Sequence, residues 1–404
     1  MRIAIGIVSL FPGGGLQRDC VDIAKMMHSA GHEVVIYTAR LTGAPSIDGV
    51  SIIVIPNTAR TNHRRQYQFA VDFQRLTSHS FDLVVGFDKL LELDILYCAD
   101  RSIYYRLLKQ PYLRLLPRYR TYARLEGDSF KPQQKTRIIV LSQQQLMEYM
   151  GAWRTERERV IELPPTLSAT RRGAGLRVNG TREQMRTQLG LAGNTWAWLA
   201  IGVQPRTKGL DRVLRALHHF PQATLLIAGL NDSDMASKPI ADTARQLGIS
   251  SRVIWLGHRE DIERICAASD LLMHPARYDT TGTVILEALV NGLPVITTST
   301  CGYAKHVHAA SAGIVLEEPF DFQLFLTAIK DMNDPTRRAL YSESGIAYGR
   351  SKNLDQGKGL AAQMMLDFVE SRRRDASHIA SPWGDPLDGE LPDNVVSLPL
   401  SGRR

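Results

Sequence analysis

Two series of short β-branched runs, each alternating with amphipathic stretches of helical length and separated by the prolines Pro164 and Pro165, constrain this 404-residue chain more than any other feature. A strand covered by helices on both faces reads as a continuous apolar run, so the alternation predicts parallel sheets wound with helices on either side. In the first series strands are expected over residues 2–9, 33–38, 50–56, 83–87, 95–98 and 137–141, with helices over 16–30 and about 64–77. Two consecutive prolines remove two backbone donors and hold the chain extended, which marks a linker after Leu163. An Arg- and Gly-rich stretch to about Arg186 reads as loop, and the second series then places strands over 198–203, 224–228, 253–256, 271–274, 294–298 and 313–316. The chain is longer than one hydrophobic core usually serves, so the expectation is two doubly wound α/β units, 1–163 and 164–350. A helix over 351–373 is expected to cross back to the first unit. Residues 374–404, rich in Pro, Ser, Gly and Asp, are expected to be disordered.

Basic residues exceed acidic ones by 8 (49 against 41), which asks for an anionic partner: a membrane surface, nucleic acid or a phosphorylated substrate. The excess is concentrated. Between Arg101 and Arg124 stand Arg101, Arg106, Lys109, Arg114, Arg118, Arg120 and Arg124 without one acid, interleaved with tyrosines and leucines and broken by Pro111 and Pro117. Cationic heads, interfacial Tyr and a leucine ridge suit a segment lying on an anionic leaflet, although a nucleic acid or plain solvent would also accept them. No nucleic-acid-binding motif accompanies the segment, and no run is long enough to span a bilayer. The opening apolar run reads as a buried strand and not a signal peptide. Four dispersed cysteines without a C-x-x-C pair fit a reducing compartment better than a disulfide framework or a zinc module.

Chemistry is expected where strands end. After the first strand, Phe11-Pro12-Gly13-Gly14-Gly15 opens a helix whose free N–H groups would point above the sheet, and Gly14 and Gly15 would let an anion or a sugar approach the backbone. The spacing is not G-x-G-x-x-G, and the second strand ends at Thr38-Ala39-Arg40 without an acid for a ribose, which disfavours a nicotinamide cofactor. Asp19, one turn into the first helix, and Asp100, just after the fifth strand, are active-site candidates or dipole-compensating carboxylates. Asn62 and His63 follow the third strand, either as ligand contacts or as a capped helix start. In the second unit, Arg206 and Lys208 precede a helix where a diphosphate would be met, and Asp279 and Glu287 sit eight residues apart at the start and inside of a helix. A carboxylate in a stretch as apolar as that around Glu287 requires a fixed partner, ribose hydroxyls or a salt bridge.

Together the Asp-x7-Glu element, the Ala288-x-x-x-Gly292-Leu293-Pro294-Val295 run, the Lys208-Gly209 helix start and the glycine turn resemble the retaining glycosyltransferases of family 4, which have the GT-B fold. FPGGGLQRD, TNH, the Asp100 region, the basic Tyr-rich segment, LPP and CGYA are similar to the lipopolysaccharide core glucosyltransferases within that family, over residues 1 to about 373. The resemblance implies two Rossmann-like domains facing across a crevice, and transfer of a sugar, with glucose from UDP-glucose first among donors, to a heptose of the lipopolysaccharide inner core. It implies that Gly14, Gly15 and Asp19 face the donor phosphates and the acceptor, that Lys208 with Arg206 neutralises the diphosphate, and that Glu287 holds the ribose. Asp279 with the backbone of Gly282, Thr283 and Val284 would contact the transferred sugar, and Asp100 would position the acceptor. Asn62, His63, Arg106, Lys109, Arg114, Arg118 and Arg120 would face acceptor or membrane. No acidic cluster of metal-ligand spacing appears, so no metal is expected, and no cofactor beyond the UDP-sugar co-substrate; no nucleic-acid partner is expected, and the expected place is cytoplasmic, peripheral on the inner face of the cytoplasmic membrane. Two departures stand out: Asp279 where the family has Glu, and Thr207 where an Arg usually precedes the Lys.

Overall fold

The computed structural model describes residues 1–12, 14–43 and 47–379, with side chains through 372. Among them the first sheet is formed by β1 (Arg2–Leu10), β2 (Glu33–Leu41), β3 (Ser51–Val54), β4 (Leu83–Gly86), β5 (Ile95–Cys98), β6 (Arg137–Val140) and β7 (Val160–Glu162), all parallel, in the order β3-β2-β1-β4-β5-β6-β7. Its helices are α1 (Gly15–Ser29), α2 (Asn62–Thr77), α3 (Ile103–Lys109), α4 (Pro117–Phe130) and α5 (Gln143–Trp153). Alternate residues of β1 serve two cores: Ile3, Ile5 and Ile7 pack with Ile23 and Met27 of α1, while Ala4 packs with Phe69 and Phe73 of α2. A Cβ at Gly6 would stand 2.5 Å from Leu90 and 2.9 Å from Phe73, so only glycine lets the helix layer lie this close.

After α6 (Thr181–Gln188), the second sheet holds β8 (Trp196–Ile201), β9 (Ala223–Ala228), β10 (Val253–Gly257), β11 (Leu271–His274), β12 (Val295–Thr298) and β13 (Gly313–Leu316), in the parallel order β10-β9-β8-β11-β12-β13. Around it lie α7 (Leu210–His218), α8 (Lys238–Gln246), α9 (Ile262–Ala268), α10 (Thr283–Val290), α11 (Ala304–Ala310), α12 (Phe322–Asp331) and α13 (Pro335–Ser351). In each sheet the strand order reverses once, between β1 and β4 and between β8 and β11, and open α/β sheets bind ligands at the carboxyl ends of strands flanking such a point.

The stretch before Arg186 expected to be loop contains α6. Arg177, Arg182 and Arg186 there donate to the carbonyls of Cys266, Ala267, Ala268 and Ser269 at the end of α9, at 2.8–3.2 Å, so tertiary capping supports a segment with little apolar periodicity of its own. The last helix, α14 (Gly357–Ile379), begins later than residue 351 and runs past 373. Residues 374–379 are therefore helical, and the rest of the expected tail, 380–404, lies outside the described residues. Leu163 belongs to the first domain's core and Leu167 to the second's, so the chain changes domain at the two prolines. It returns beside them: Leu167 N donates to Leu354 O at 2.8 Å and Gly357 N to Pro165 O at 3.1 Å. Ala361, Ala362, Met365 and Val369 of α14 then pack into the cluster of Ile23 and Met27.

Candidate active site

The loop after β8 is shaped by Gly209, whose φ of +76° suits glycine and where a Cβ would stand 2.0 Å from the Pro275 carbonyl oxygen. With no side chain in the way, the loop rides on residues 275–277, held by Arg277 N to Thr207 O at 2.8 Å, Arg277 Nη1 to Arg206 O at 2.6 Å and an Arg277–Asp211 ion pair at 2.7 Å. That seating carries Lys208 Nζ to 2.6 Å from Asp279 Oδ2. The same oxygen lies 2.9 Å from Nε2 of His274, the fully buried last residue of β11.

Burial works against a charge on His274, but its hydrogen bond to Asp279, the adjacent Cys301 thiol and the Asp279 charge outweigh it and push the imidazole up to about 9. It is therefore protonated near neutrality and donates from Nε2. Burial would raise Asp279 too, yet the His274 hydrogen bond and the Lys208 cation hold it well below the usual carboxylate range. The carboxylate is an anion locked between two cations.

Glu287, on α10, is 5% exposed, and burial raises its pKa. Its partner is Arg171, whose Nε stands 3.7 Å away, an ion-pair contact longer than a hydrogen bond. Arg18 on α1 acts on it electrostatically from the other domain. Asn291 ties the interdomain segment to α10, donating to Glu287 O and to Arg171 O at 2.7 Å and accepting from Gly173 N at 2.6 Å. Gly282 starts α10 at φ +72°, and no side chain caps the N–H groups of its first turn, which includes Thr283 and Val284.

Across the crevice, Gly14 caps α1 with an extended backbone and no side-chain hydrogen bond; a Cβ built on Gly15 would meet nothing within 4 Å, whereas one on Gly14 would meet the side chain of Gln17, which lies over the helix start. Asp19 is partly buried, and desolvation raises its pKa against the pull of Lys358; it accepts from Tyr97 Oη at 2.8 Å and pairs with Lys358 of α14 at 3.3 Å. Asp100 is exposed at the end of β5, its carbonyl gripped by Gln145 Nε2 at 2.6 Å and Tyr149 Oη at 3.1 Å, which fixes the backbone that carries the carboxylate. Asp88, after β4, accepts from Val8 N at 2.6 Å, and burial together with the Asp100 charge raises it to about 7. The domains meet where Arg101 lies 4.2 Å over the Tyr278 ring, where Lys305 pairs with Glu162 at 3.0 Å, and where a Cβ on Gly302 would stand 2.6 Å from Ser142.

The structure thus unites Lys208 and Asp279 at one switch point, with Glu287 on the helix that follows, and sets Gly14, Gly15, Asp19 and Asp100 around the other. Arg206 is exposed, and no ion pair forms on its side chain among the described residues. Asn62 lies in the first turn of α2, and His63 packs edge-to-face on Tyr122 with centroids 6.5 Å apart. The basic segment folds as α3, a 3₁₀ turn Pro111–Leu115 and α4, broken at both prolines as expected. Its apolar residues divide: Leu107, Leu113 and Tyr119 form a small core, while Leu108, Tyr112 (66% exposed), Leu115 (81%) and Leu116 face outward among Lys109, Arg114, Arg118 and Arg120. Glu126, fully buried and paired with Lys89 at 3.0 Å, pins the start of α3 through Ser102 Oγ and the N–H groups of Ile103 and Tyr104. His274 and Asp88 were not among the sequence candidates, although His274 ends β11 and Asp88 stands just past the end of β4, both at the switch points. Arg18 and Arg171 carry no local signal at all.

Two Rossmann-like domains joined by a crossing C-terminal helix, with a cation, two carboxylates and helix starts lining the crevice, define a glycosyltransferase of the GT-B fold. Residues 181–345 match the family of glycosyl transferases group 1. The chain is 32% identical over 363 residues to the lipopolysaccharide glucosyltransferase WaaG of Escherichia coli (strain K12), covering 88% of this chain and 96% of that protein. It is 28% identical to the D-inositol 3-phosphate glycosyltransferase of Mycobacterium marinum over 62% of this chain and 55% of that one. The crystal structure of WaaG superposes with a TM-score of 0.84 at 30% identity, covering 90% of this chain and 99% of that chain. The sucrose-phosphate synthase of Thermosynechococcus elongatus shares the fold alone, at 16% identity and a TM-score of 0.73 over 93% of this chain and 99% of that one. The chain belongs to the group 1 glycosyltransferases.

Proposed function

We propose that the protein transfers glucose from UDP-glucose to a heptose of the lipopolysaccharide inner core with retention of configuration, working at the inner face of the cytoplasmic membrane. The observation that carries this reading is the Lys208–Asp279–His274 cluster at the β8/β11 switch point, with Glu287 on the adjoining helix and Gly15 and Asp100 on the facing domain. The similarity to the E. coli glucosyltransferase over nearly its whole length supports the choice of donor and acceptor.

Lys208 releases Asp279 when the diphosphate arrives, and with the N-termini of α1 and α10, neither of which has a side-chain cap, it supplies the positive field that stabilises the departing UDP. His274 stays on Asp279 and holds the carboxylate toward the transferred sugar, one methylene short of the glutamate usual in the family. Glu287 accepts from the ribose hydroxyls, and its long contact with Arg171 leaves acceptor capacity for them. Asp100 orients the acceptor hydroxyl. The hydroxyl attacks the anomeric carbon on the face the phosphate leaves, the sugar–phosphate bond breaks, and the leaving phosphate oxygen takes the proton. The outward leucines, Tyr112 and the surrounding cations of the α3–α4 segment rest on the anionic leaflet.

The test is to incubate the purified chain with a heptose-bearing core acceptor and UDP-glucose, UDP-galactose or UDP-N-acetylglucosamine in turn, following UDP release and the anomeric proton of the product. Preferred turnover of UDP-glucose to an α-linked product is expected. Nucleotide binding without turnover on any of the three donors refutes the reading in favour of a sugar-nucleotide-binding protein.

A further inference from the structure

A groove of about 520 Å³ lies between the start of α2 and the middle of α4, lined by Arg60, Arg64, Arg124, Tyr67, Thr58 and Thr121 among others, with no acid in its wall. The loop leading into α2 is held in place. Arg65 donates to Asn62 Oδ1 at 3.3 Å and to Ala59 O at 3.2 Å, and Asn57 donates to Arg65 O at 2.8 Å and accepts from Ala59 N at 3.1 Å. Arg124 is set by stacking, its guanidinium 5.0 Å over the Tyr67 ring. Among the described residues none of Arg60, Arg64 and Arg124 forms an ion pair with a carboxylate, in contrast to Arg101, Arg171 and Arg182; Asp128 feels Arg124 only electrostatically. All three are exposed, so solvent screens their mutual repulsion, but they gather positive charge around one concavity, and guanidinium forks match the paired oxygens of a phosphate or carboxylate.

Tyr122 links the groove to the end of β5 that carries Asp100. Thr121 lines the groove, the neighbouring Tyr122 feels the charges of Asp100 and Asp88, and His63, one residue before Arg64, packs on Tyr122. We propose that this groove binds an oxyanion, phosphate or carboxylate, borne by the acceptor saccharide beside the hydroxyl that Asp100 orients, so that the enzyme selects an acidic acceptor over a neutral one. The inference rests on the acceptor reading above and deepens it. A lipid headgroup phosphate offers the same chemistry, and the test separates the two.

The variant R60Q/R64Q/R124Q, checked for an unchanged melting temperature, is compared with wild type in three arms. With an acidic core oligosaccharide as acceptor, KM should rise about tenfold or more as charge-assisted contacts are lost, while KM for UDP-glucose stays put. With the same oligosaccharide stripped of its phosphates and with its carboxylates reduced, wild type should perform as poorly as the variant. Binding of the acidic oligosaccharide without donor, followed by calorimetry, should weaken by the same factor; this arm needs no turnover, so it stands even if the proposed reaction fails. Sedimentation with phosphatidylglycerol vesicles should be nearly unchanged. Equal use of acidic and neutral acceptors by wild type overturns the proposal, and so does a variant that loses only vesicle binding, which would assign the groove to lipid.

Discussion

Replacing His274 by Asn tests the most specific feature of the site. In the free enzyme Asp279 Oδ2 accepts from both Lys208, at 2.6 Å, and His274, at 2.9 Å. In the proposed reaction Lys208 turns to the donor diphosphate, which leaves His274 as the remaining cation on a carboxylate that is 12% exposed. A hydrogen bond to a charged group contributes about 1.5–3 kcal/mol, so H274N should lower kcat by about 10- to 150-fold. The effect on KM for UDP-glucose should be smaller, because the orientation of Asp279 matters most when the sugar develops positive charge. The assay is steady-state UDP release with the core acceptor across pH. A folded-state pKa of about 9 against 6.5 unfolded means that the stabilisation from protonated His274 is complete below about 6.5 and is lost as pH rises through about 9. Wild-type activity and melting temperature should both fall through that window, and those of H274N should lose the dependence. A variant that turns over within about twofold of wild type, with the same alkaline limb, refutes the assignment of His274 as the positioning residue for Asp279.

Three further outcomes are expected. Lys208→Ala and Glu287→Gln should each reduce donor-dependent turnover at least about tenfold with the fold retained by circular dichroism, since each deprives a ligand group of its partner, and each should lower the melting temperature because Asp279 or Arg171 loses its ion pair; near-normal saturable kinetics in both would misplace the donor site. Converting Lys109, Arg114, Arg118 and Arg120 to Gln should release the protein from anionic vesicles as high salt does, while turnover on a water-soluble acceptor persists; binding indifferent to lipid charge and ionic strength would contradict the surface reading. Asp88 is raised from 3.8 to about 7, so its contribution to stability is present below about 4 and lost as pH rises to about 7; D88N should flatten the decline of urea-unfolding stability across that interval, and an unchanged slope would show that the carboxylate is not held protonated.

The division into two doubly wound units, the crossing at Pro164-Pro165, the glycine turn into α1 and the Lys208-Gly209 helix start were all legible in the chain. Strand burial, proline geometry and glycine's freedom act within a few residues, so they leave local patterns. Glu287 was visible as a carboxylate in an apolar stretch, and Asp279 as a carboxylate eight residues before it at the start of the same helix. The helix α6 was not legible, because its arginines are matched to carbonyls at the end of α9 and not to an apolar stripe along the helix itself. β7 escaped notice as a three-residue strand at the sheet edge.

Which cations would share which carboxylates was decided only by the tertiary structure. Lys208 reaches Asp279 because a glycine without a Cβ lets one loop lie on another; Arg171 reaches Glu287 because Asn291 clamps the interdomain segment to α10; Lys358 reaches Asp19 because α14 buries its apolar residues against α1. The perturbed charges of His274 and Asp88 follow from burial beside other charges, a property of packed neighbours and not of sequence spacing. The residue types and their placement at strand ends are written in the sequence. Their partners depend on chain segments far apart in it, brought into contact by the packing of two sheets and a returning helix.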